Sequence, residues 1–221
     1  MITLTAKIYL SGNETIEINS KNLISLETSL YDRSDLKLPS FGIISNNGNI
    51  EFNDLDGSVL AYAEQLLLKG GLNCEIKLRN TLVEGAEKTV AIFETDQWTY
   101  DNEAKKVSVS LKDDLEKWQD IYFEGISYDA RNPVEKPLAY FFQQLSIFTF
   151  NNGYEVDVAL NTKTREVLEN TIIKYPLLKA GSLWASWNKV CQVGQLHIYK
   201  DVYEENGIYK SIVKCRYNGG N

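Results

Sequence analysis

The stretch Phe93-Glu-Thr-Asp-Gln-Trp-Thr-Tyr-Asp101, followed after a short break by Val107-Ser-Val-Ser-Leu111, decides the class of fold. Successive side chains of a strand point to opposite faces, so Val107, Val109 and Leu111 belong to one side and Ser108 and Ser110 to the other. The intervening Asp101-Asn-Glu-Ala-Lys105 has hairpin length, which predicts two antiparallel strands with one apolar face.

Working upstream, the grammar stays that of strands. Leu72–Leu78 and Thr89–Phe93 read as further strands. Ile8 and Leu10, then Ile16 and Ile18, alternate on either side of Ser11-Gly-Asn13, a hairpin signal. Phe41–Ile44 and Ile50–Phe52 flank Asn46-Asn-Gly48, and Asn-Gly supplies the positive φ of a tight reversal, so a second hairpin is expected there. One helix interrupts the strands. Val59, Leu60, Ala63, Leu66 and Leu67 recur at helical spacing, and Gly70-Gly71 after Lys69 marks a stop.

Downstream of Asp113 helices and strands alternate. Pro137 suits the first turn of a helix whose Leu138, Phe141, Phe142, Leu145 and Phe148 form a bulky stripe. A strand is expected at Tyr154–Leu160, a short helix near Arg165–Leu168, and an apolar stretch at Ile172–Leu178 containing Pro176. Gly181-Ser182 introduces a helix carrying Leu183, Trp184, Trp187, Val190 and Cys191, stopped at Gly194. The last hairpin runs Leu196–Tyr203 and Ile208–Tyr217, turning at Glu205-Asn-Gly207. The fold class is therefore α+β and β-rich, in two domains, 1–115 and 116–221, with the boundary at the change of grammar.

The 221 residues carry 30 acids against 23 Lys and Arg, a formal charge of −7, and no basic run long enough to track a phosphate backbone. Sequence-specific nucleic-acid binding is thereby disfavoured. No apolar stretch approaches the ~20 residues that span a bilayer, and Lys7 and Tyr9 break the N-terminal alternation, so neither membrane insertion nor a signal peptide is expected. Cys74, Cys191 and Cys215 are odd in number, widely spaced and set in apolar patterns, which favours buried free thiols over disulfides or zinc.

No catalytic signature stands out in the sequence. The phosphate-loop, zincin and nucleophile-elbow strings are absent, and Gly70-Gly71 is too short to cradle phosphate. His197, the single histidine, would have to serve any Ser or Cys nucleophile, and it excludes a multi-histidine metal site. Flanked by Leu196 and Ile198, it reads as structural or merely exposed. Asp54 and Asp56 have the spacing that opens a calcium loop without its later ligands, so turn and helix-capping roles are expected. Asp113 and Asp114 precede a short amphipathic segment ending in Trp118 and suit its positive end. Trp184 and Trp187 share a helix face with Val190 and Cys191, which assigns them to a core. Tyr9, Tyr31, Tyr122 and Tyr128 are freer to line an interface. No catalytic, metal or cofactor residue is assigned, and no cofactor is expected.

The Phe93–Asp101 segment with Val107-Ser-Val-Ser-Leu-Lys-Asp-Asp-Leu115 resembles the N-terminal hub region of baseplate and tail-associated proteins of tailed bacteriophages. So does Ile50-Glu-Phe-Asn-Asp-Leu-Asp-Gly57 followed by a helix and Gly70-Gly-Leu-Asn-Cys-Glu-Ile76. Pro137-Leu-Ala-Tyr-Phe-Phe-Gln-Gln-Leu145, Ser182-Leu-Trp-Ala-Ser-Trp-Asn-Lys-Val190 and the Asn206-Gly207 hairpin are similar to that family's second α/β domain. The resemblance implies a tail-tube-like split β-barrel followed by a smaller α/β domain. It implies a non-enzymatic hub ring, homotrimeric around the tail axis, joining the tail tube or distal ring to a spike or fibre. It places the protein in the virion tail, assembled in the host cytoplasm. Hydrolase or spike segments that follow in longer hubs are not expected in a chain read to Asn221.

Two other classes compete: a carbohydrate- or receptor-binding module using exposed tyrosines, and a small hydrolase using paired carboxylates. The last gives a direct test. Purified protein is expected to leave peptidoglycan and common glycosides intact over prolonged incubation. Turnover that disappears when Asp54, Asp56, Asp113 or Asp114 is replaced would reverse the non-enzymatic reading.

Overall fold

The computed structural model describes residues 2–10, 14–28, 41–54, 56–57, 59–60, 71–80, 87–127, 135–174, 176–206 and 208–217. The chain folds as two compact units. One comprises Met1–Tyr31, Asn46–Asp114 and Glu204–Tyr209; the other comprises Asp32–Ser45, Leu115–Tyr203 and Lys210–Asn221. Neither is a continuous stretch of chain, where the change of grammar near residue 115 suggests two continuous ones.

The first unit is built on seven strands: β1 Ile2–Tyr9, β2 Thr15–Ile18, β3 Leu23–Thr28, β5 Asn47–Asn53, β6 Asn73–Asn80, β7 Glu87–Asp101 and β8 Lys106–Lys112. They form one sheet in the order β2-β1-β6-β7-β8-β5-β3, with every neighbouring pair antiparallel. Alternation and register agree across the sheet. Ala6 faces Ile18 and Ile76, Ile8 faces Ile16 and Cys74, and Ile50 and Phe52 face Val109 and Val107. All of these are buried in one cluster. Burying such a side chain contributes about 1.5–3 kcal/mol, so a slip of one residue on any strand, which would turn its apolar set outward, is heavily penalised.

Strand β7 departs from simple alternation. Ala91, Phe93 and Thr95 are buried at odd positions, yet Trp98 is buried at an even one. The register against β8 shifts between Thr95 and Trp98, a bulge that returns the second half of the strand to the core face. The Ser110 hydroxyl accepts from the Gln97 N–H at 2.9 Å and so bonds backbone within the bulge. Edge strand β3 bulges as well, between Leu23 and Ser25, and leaves Ile24 47% exposed.

The hairpin expected across Asn46-Asn-Gly48 does not form. β5 begins at Asn47 and pairs with β3 and β8, while Gly42–Ile43 (β4) pairs in parallel with Leu196–Glu205 (β13). Gly48 is not among the positive-φ glycines, because it lies inside the strand rather than in a turn. Leu23–Thr28, not read as a strand from sequence, takes the place beside β5. The helix expected over residues 59–67 lies mostly outside the described residues; at its start the Asp54 carboxylate accepts from the Val59 and Leu60 N–H groups, both at 3.1 Å.

Among its described residues the second unit holds three α-helices, α1 Leu138–Asn151, α2 Thr162–Asn170 and α3 Leu183–Gly194. Its strands are β9 Tyr122–Phe123 with β12 Gly181–Ser182, β10 Lys136–Pro137 with β11 Ile172–Ile173, and the sheet β14-β13-β4, where β13 is Leu196–Glu205 and β14 Ile208–Tyr217. Ser182 caps α3 by accepting from Ala185 N–H at 3.1 Å, and Asn161 caps α2 through Thr164 N–H at 2.8 Å. The residue in left-handed conformation after α3 is Gln195, φ 52°, not Gly194. Gly194 serves a different need: a Cβ there would lie 2.8 Å from Leu138 and 2.9 Å from Leu196.

Tyr154–Leu160 is not a strand. Only a parallel bridge between Val156 and Val213 forms, after which the Asp157 carboxylate accepts from Ala159 N–H at 2.8 Å and turns the chain away. Of the described residues in Ile172–Leu178, Ile172 and Ile173 form a strand, while Leu177 and Leu178 are buried from an irregular segment in which the Leu178 carbonyl accepts from the Ile126 N–H at 3.1 Å.

Aromatic rings organise this core. The Trp187 indole stacks at 6.1 Å on Trp118, meets Phe142 edge-on at 5.4 Å, and donates its N–H to Thr149 Oγ1 at 2.9 Å. Trp187 is fully buried; Trp184, three residues earlier, is only half-buried. Replacing Trp187 with Ala is therefore expected to cost about 3–5 kcal/mol and to lower the denaturant midpoint, with a clearly smaller loss for Trp184→Ala. Equal midpoints for wild type and Trp187→Ala would mean that this face is not packed.

Candidate interaction surfaces

Each residue singled out for chemistry has a place in the fold. Asp54 is buried and spends both oxygens on the Val59 and Leu60 N–H groups. Its charge and hydrogen bond, after burial itself, also hold the Tyr100 hydroxyl above its ordinary pKa. Asp56 is exposed and Asp113 buried, so neither spacing creates an open carboxylate pair. Asp114 opens a 3₁₀ turn over Asp114–Gln119 that buries Leu115 and Trp118. Among the described residues no group of three or more His, Cys, Asp or Glu is placed to hold a metal ion. None of the described helices is long and apolar enough to cross a membrane.

The three thiols are free and buried. Loss of hydration pushes Cys74 and Cys215 up to about 12 and Cys191 well above its ordinary value, so none is a thiolate at neutral pH. His197 sits on β13 opposite Gly42, 3% exposed, with the Phe41 ring 5.6 Å away. Across the same junction the Asn188 side chain accepts from Ile43 N–H at 3.0 Å. A Cβ at residue 42 would run into that Asn188 oxygen, which is why glycine stands there.

The outer face of the seven-stranded sheet is a ladder of opposite charges. Lys7 lies opposite Glu17 at 3.4 Å, Lys77 reaches Glu75 at 3.3 Å and Glu87 at 3.7 Å, Lys106 reaches Glu51 at 2.8 Å, and Lys112 reaches Asp96 at 2.6 Å. Lys106 holds the Glu51 carboxyl below its usual range by that hydrogen bond. Burial, then a hydrogen bond with Glu75, pushes Tyr9 up to about 12. Exposed pairs of this kind contribute little stability, but directly opposed unlike charges reinforce register. These pairs set four lysines against five acids.

Two features of the second unit offer contact surface. Helix α1 contains no charged residue in fourteen, and its outer side exposes Ile147 at 50% and Phe150 at 67%. Tyr122, on β9, is 66% exposed. Tyr9 is only partly exposed, and Tyr31 and Tyr128 lie outside the described residues. A groove runs beside the first half of α3, between it and Pro176–Gly181. Sequence reading pointed to Tyr122 but to neither the α1 face nor the groove. The uncharged run Leu138–Asn151 was legible as a signal, whereas the groove depends on an irregular segment with no periodicity.

No protein-family model and no curated protein sequence matches the chain. Among solved structures, it is similar in fold to the 43 kDa tail protein of prophage MuSo2 from Shewanella oneidensis, with a TM-score of 0.50 and 12% identity. The likeness covers 98% of this chain and 56% of that one, so both units take part and this chain spans little more than half of that protein's length.

The buried histidine gives a pH test. Burial lowers the folded-state pKa of His197 below the ordinary 6.5, so the unfolded chain takes up the proton first. The stabilisation from keeping it neutral is complete above about pH 6.5 and is lost as pH falls through the folded-state pKa. Denaturant midpoints compared at pH 7.5 and 5 are expected to fall further for wild type than for His197→Gln; equal falls would show that His197 titrates alike in both states.

Proposed function

We propose that this protein is a non-enzymatic structural component of the tail of a bacteriophage or phage-like particle, forming a hub ring around the tail axis between the tail tube and the distal tip. The observation that carries this reading is the fold likeness to a prophage tail protein, which extends over 98% of the chain and both units. The resemblance of Phe93–Leu115 and its flanking segments to hub regions points the same way.

The first unit suits a split barrel of tail-tube type. Its sheet buries one largely apolar face, on which Thr89 and Thr95 are polar exceptions, and register shifts at Ile76/Lys77 and Thr95/Trp98 supply the bends that curve a sheet. The terminal strands are β2 and β3, and the unpaired backbone groups of such edges are available to a neighbouring subunit. A ring closes through heterologous contacts, one surface meeting a different surface of the next copy, and a homotrimer matches the hub resemblance. Tube or distal-ring proteins on one side and a spike or fibre on the other are the remaining partners. A net charge of −7 suits a conduit for DNA, because phosphates are repelled rather than held.

Imaging of the native particle tests the assignment. Density for this chain is expected as a closed ring on the tail axis. Isolated peripheral copies would overturn the hub reading and favour a receptor- or carbohydrate-binding module, for which exposed Tyr122 is the candidate stacking residue.

A further inference from the structure

The groove beside α3 has a volume of about 410 Å³ and a mixed lining. Pro176, Ala180 and Ala185 are exposed along it, and the Ser186 hydroxyl is turned back onto the Ser182 carbonyl at 3.0 Å, leaving an apolar wall. Among the described residues its charged lining consists of Lys179 and Lys189, both exposed, with no carboxylate. In a chain with seven more acids than bases, this is a local reversal of sign.

The opposite arrangement occurs at the turn of the β13–β14 hairpin. Glu204, Glu205 and Asn206 are exposed, and Asn206 holds the turn in left-handed conformation at φ 54°. Ile208, just beyond, is 62% exposed. The Tyr209 hydroxyl donates to the Glu87 carbonyl at 3.4 Å and anchors the base of the turn. Two carboxylates beside an exposed branched side chain on a held turn are the chemical complement of two ammonium groups around an apolar wall.

We infer that the groove receives the Glu204–Ile208 turn of a second copy of this chain. The inference rests on the ring reading above and adds one specific heterologous contact to it. Ile208 lies against Pro176, Ala180 and Ala185, and the glutamates approach Lys179 and Lys189. Charge selects the occupant: two copies that each carry −7 repel at long range, and association requires a place where acid meets base. Turn and groove are different surfaces of one chain, so the contact repeats from copy to copy, as a closing ring requires.

Charge reversal in the full chain tests this by sedimentation equilibrium over a wide concentration range, with circular dichroism to verify folding. Wild type is expected to self-associate, more weakly at high salt. Lys179→Glu with Lys189→Glu, or Glu204→Lys with Glu205→Lys, should each weaken association by about tenfold or more. Combining all four should restore it, and Ile208→Ser should weaken it without any change of charge. Association that ignores both reversals, or a wild type that stays monomeric throughout, overturns the inference. Neither result touches the ring reading, which particle density decides separately.

Discussion

Strand β7 must keep one face buried from Thr89 to Trp98 although its own sequence changes phase half-way. The rest of the first unit depends on how that conflict is resolved. With a regular strand, either Phe93 or Trp98 would face outward. The extra residue between Thr95 and Trp98 lets both stay inside, and it fixes how β8 pairs, hence where β5 and finally β3 can join. Magnitudes support this ordering. A buried ring or branched chain is worth about 1.5–3 kcal/mol, more than an exposed ion pair, so the apolar face sets the register and the charged ladder on the other side only agrees with it.

The second unit solves the same problem with less regular structure. Its paired strands are mostly two residues long, too short to hold themselves together, and its helices carry the core. Trp187 bridges α3 to α1 through Thr149 and stacks on Trp118 from the 3₁₀ turn. The indole N–H finds a partner inside the core, which avoids the cost of burying an unpaired donor. Burial is then the main cause of the chemistry left over in this unit: the Cys191 and Cys215 thiols, which do not ionise, and a histidine biased to the neutral form.

Much of this was legible in the order of residues, and the exceptions have physical causes. Val107–Leu111 and the two caps, Asp54 and Ser182, follow local rules and appear where those rules put them. Asn47-Gly48 misled because a turn dipeptide was weighed without its neighbours; pairing with both β3 and β8 outweighs the local preference of two residues. Val156 and Val158 alternate like a strand, but a side-chain bond from Asp157 to Ala159 N–H competes with the ladder. The parity change between Phe93 and Trp98 was visible and marks a bulge. The groove beside α3 was not, because residues 176–180 follow no period.

The parallel pairing of Gly42 with His197 has a consequence for synthesis. β4 leaves the ribosome long before its partner strand β13, so the β14-β13-β4 sheet waits for all of the chain between them. Contacts this distant in sequence carry a large loop-closure cost and form late. During translation the Phe41–Ser45 segment is thus an apolar strand without its sheet, the kind of segment that chaperones bind and that aggregation recruits. The chain passes back and forth between its two units, so neither is finished until the β13–β14 hairpin has been made.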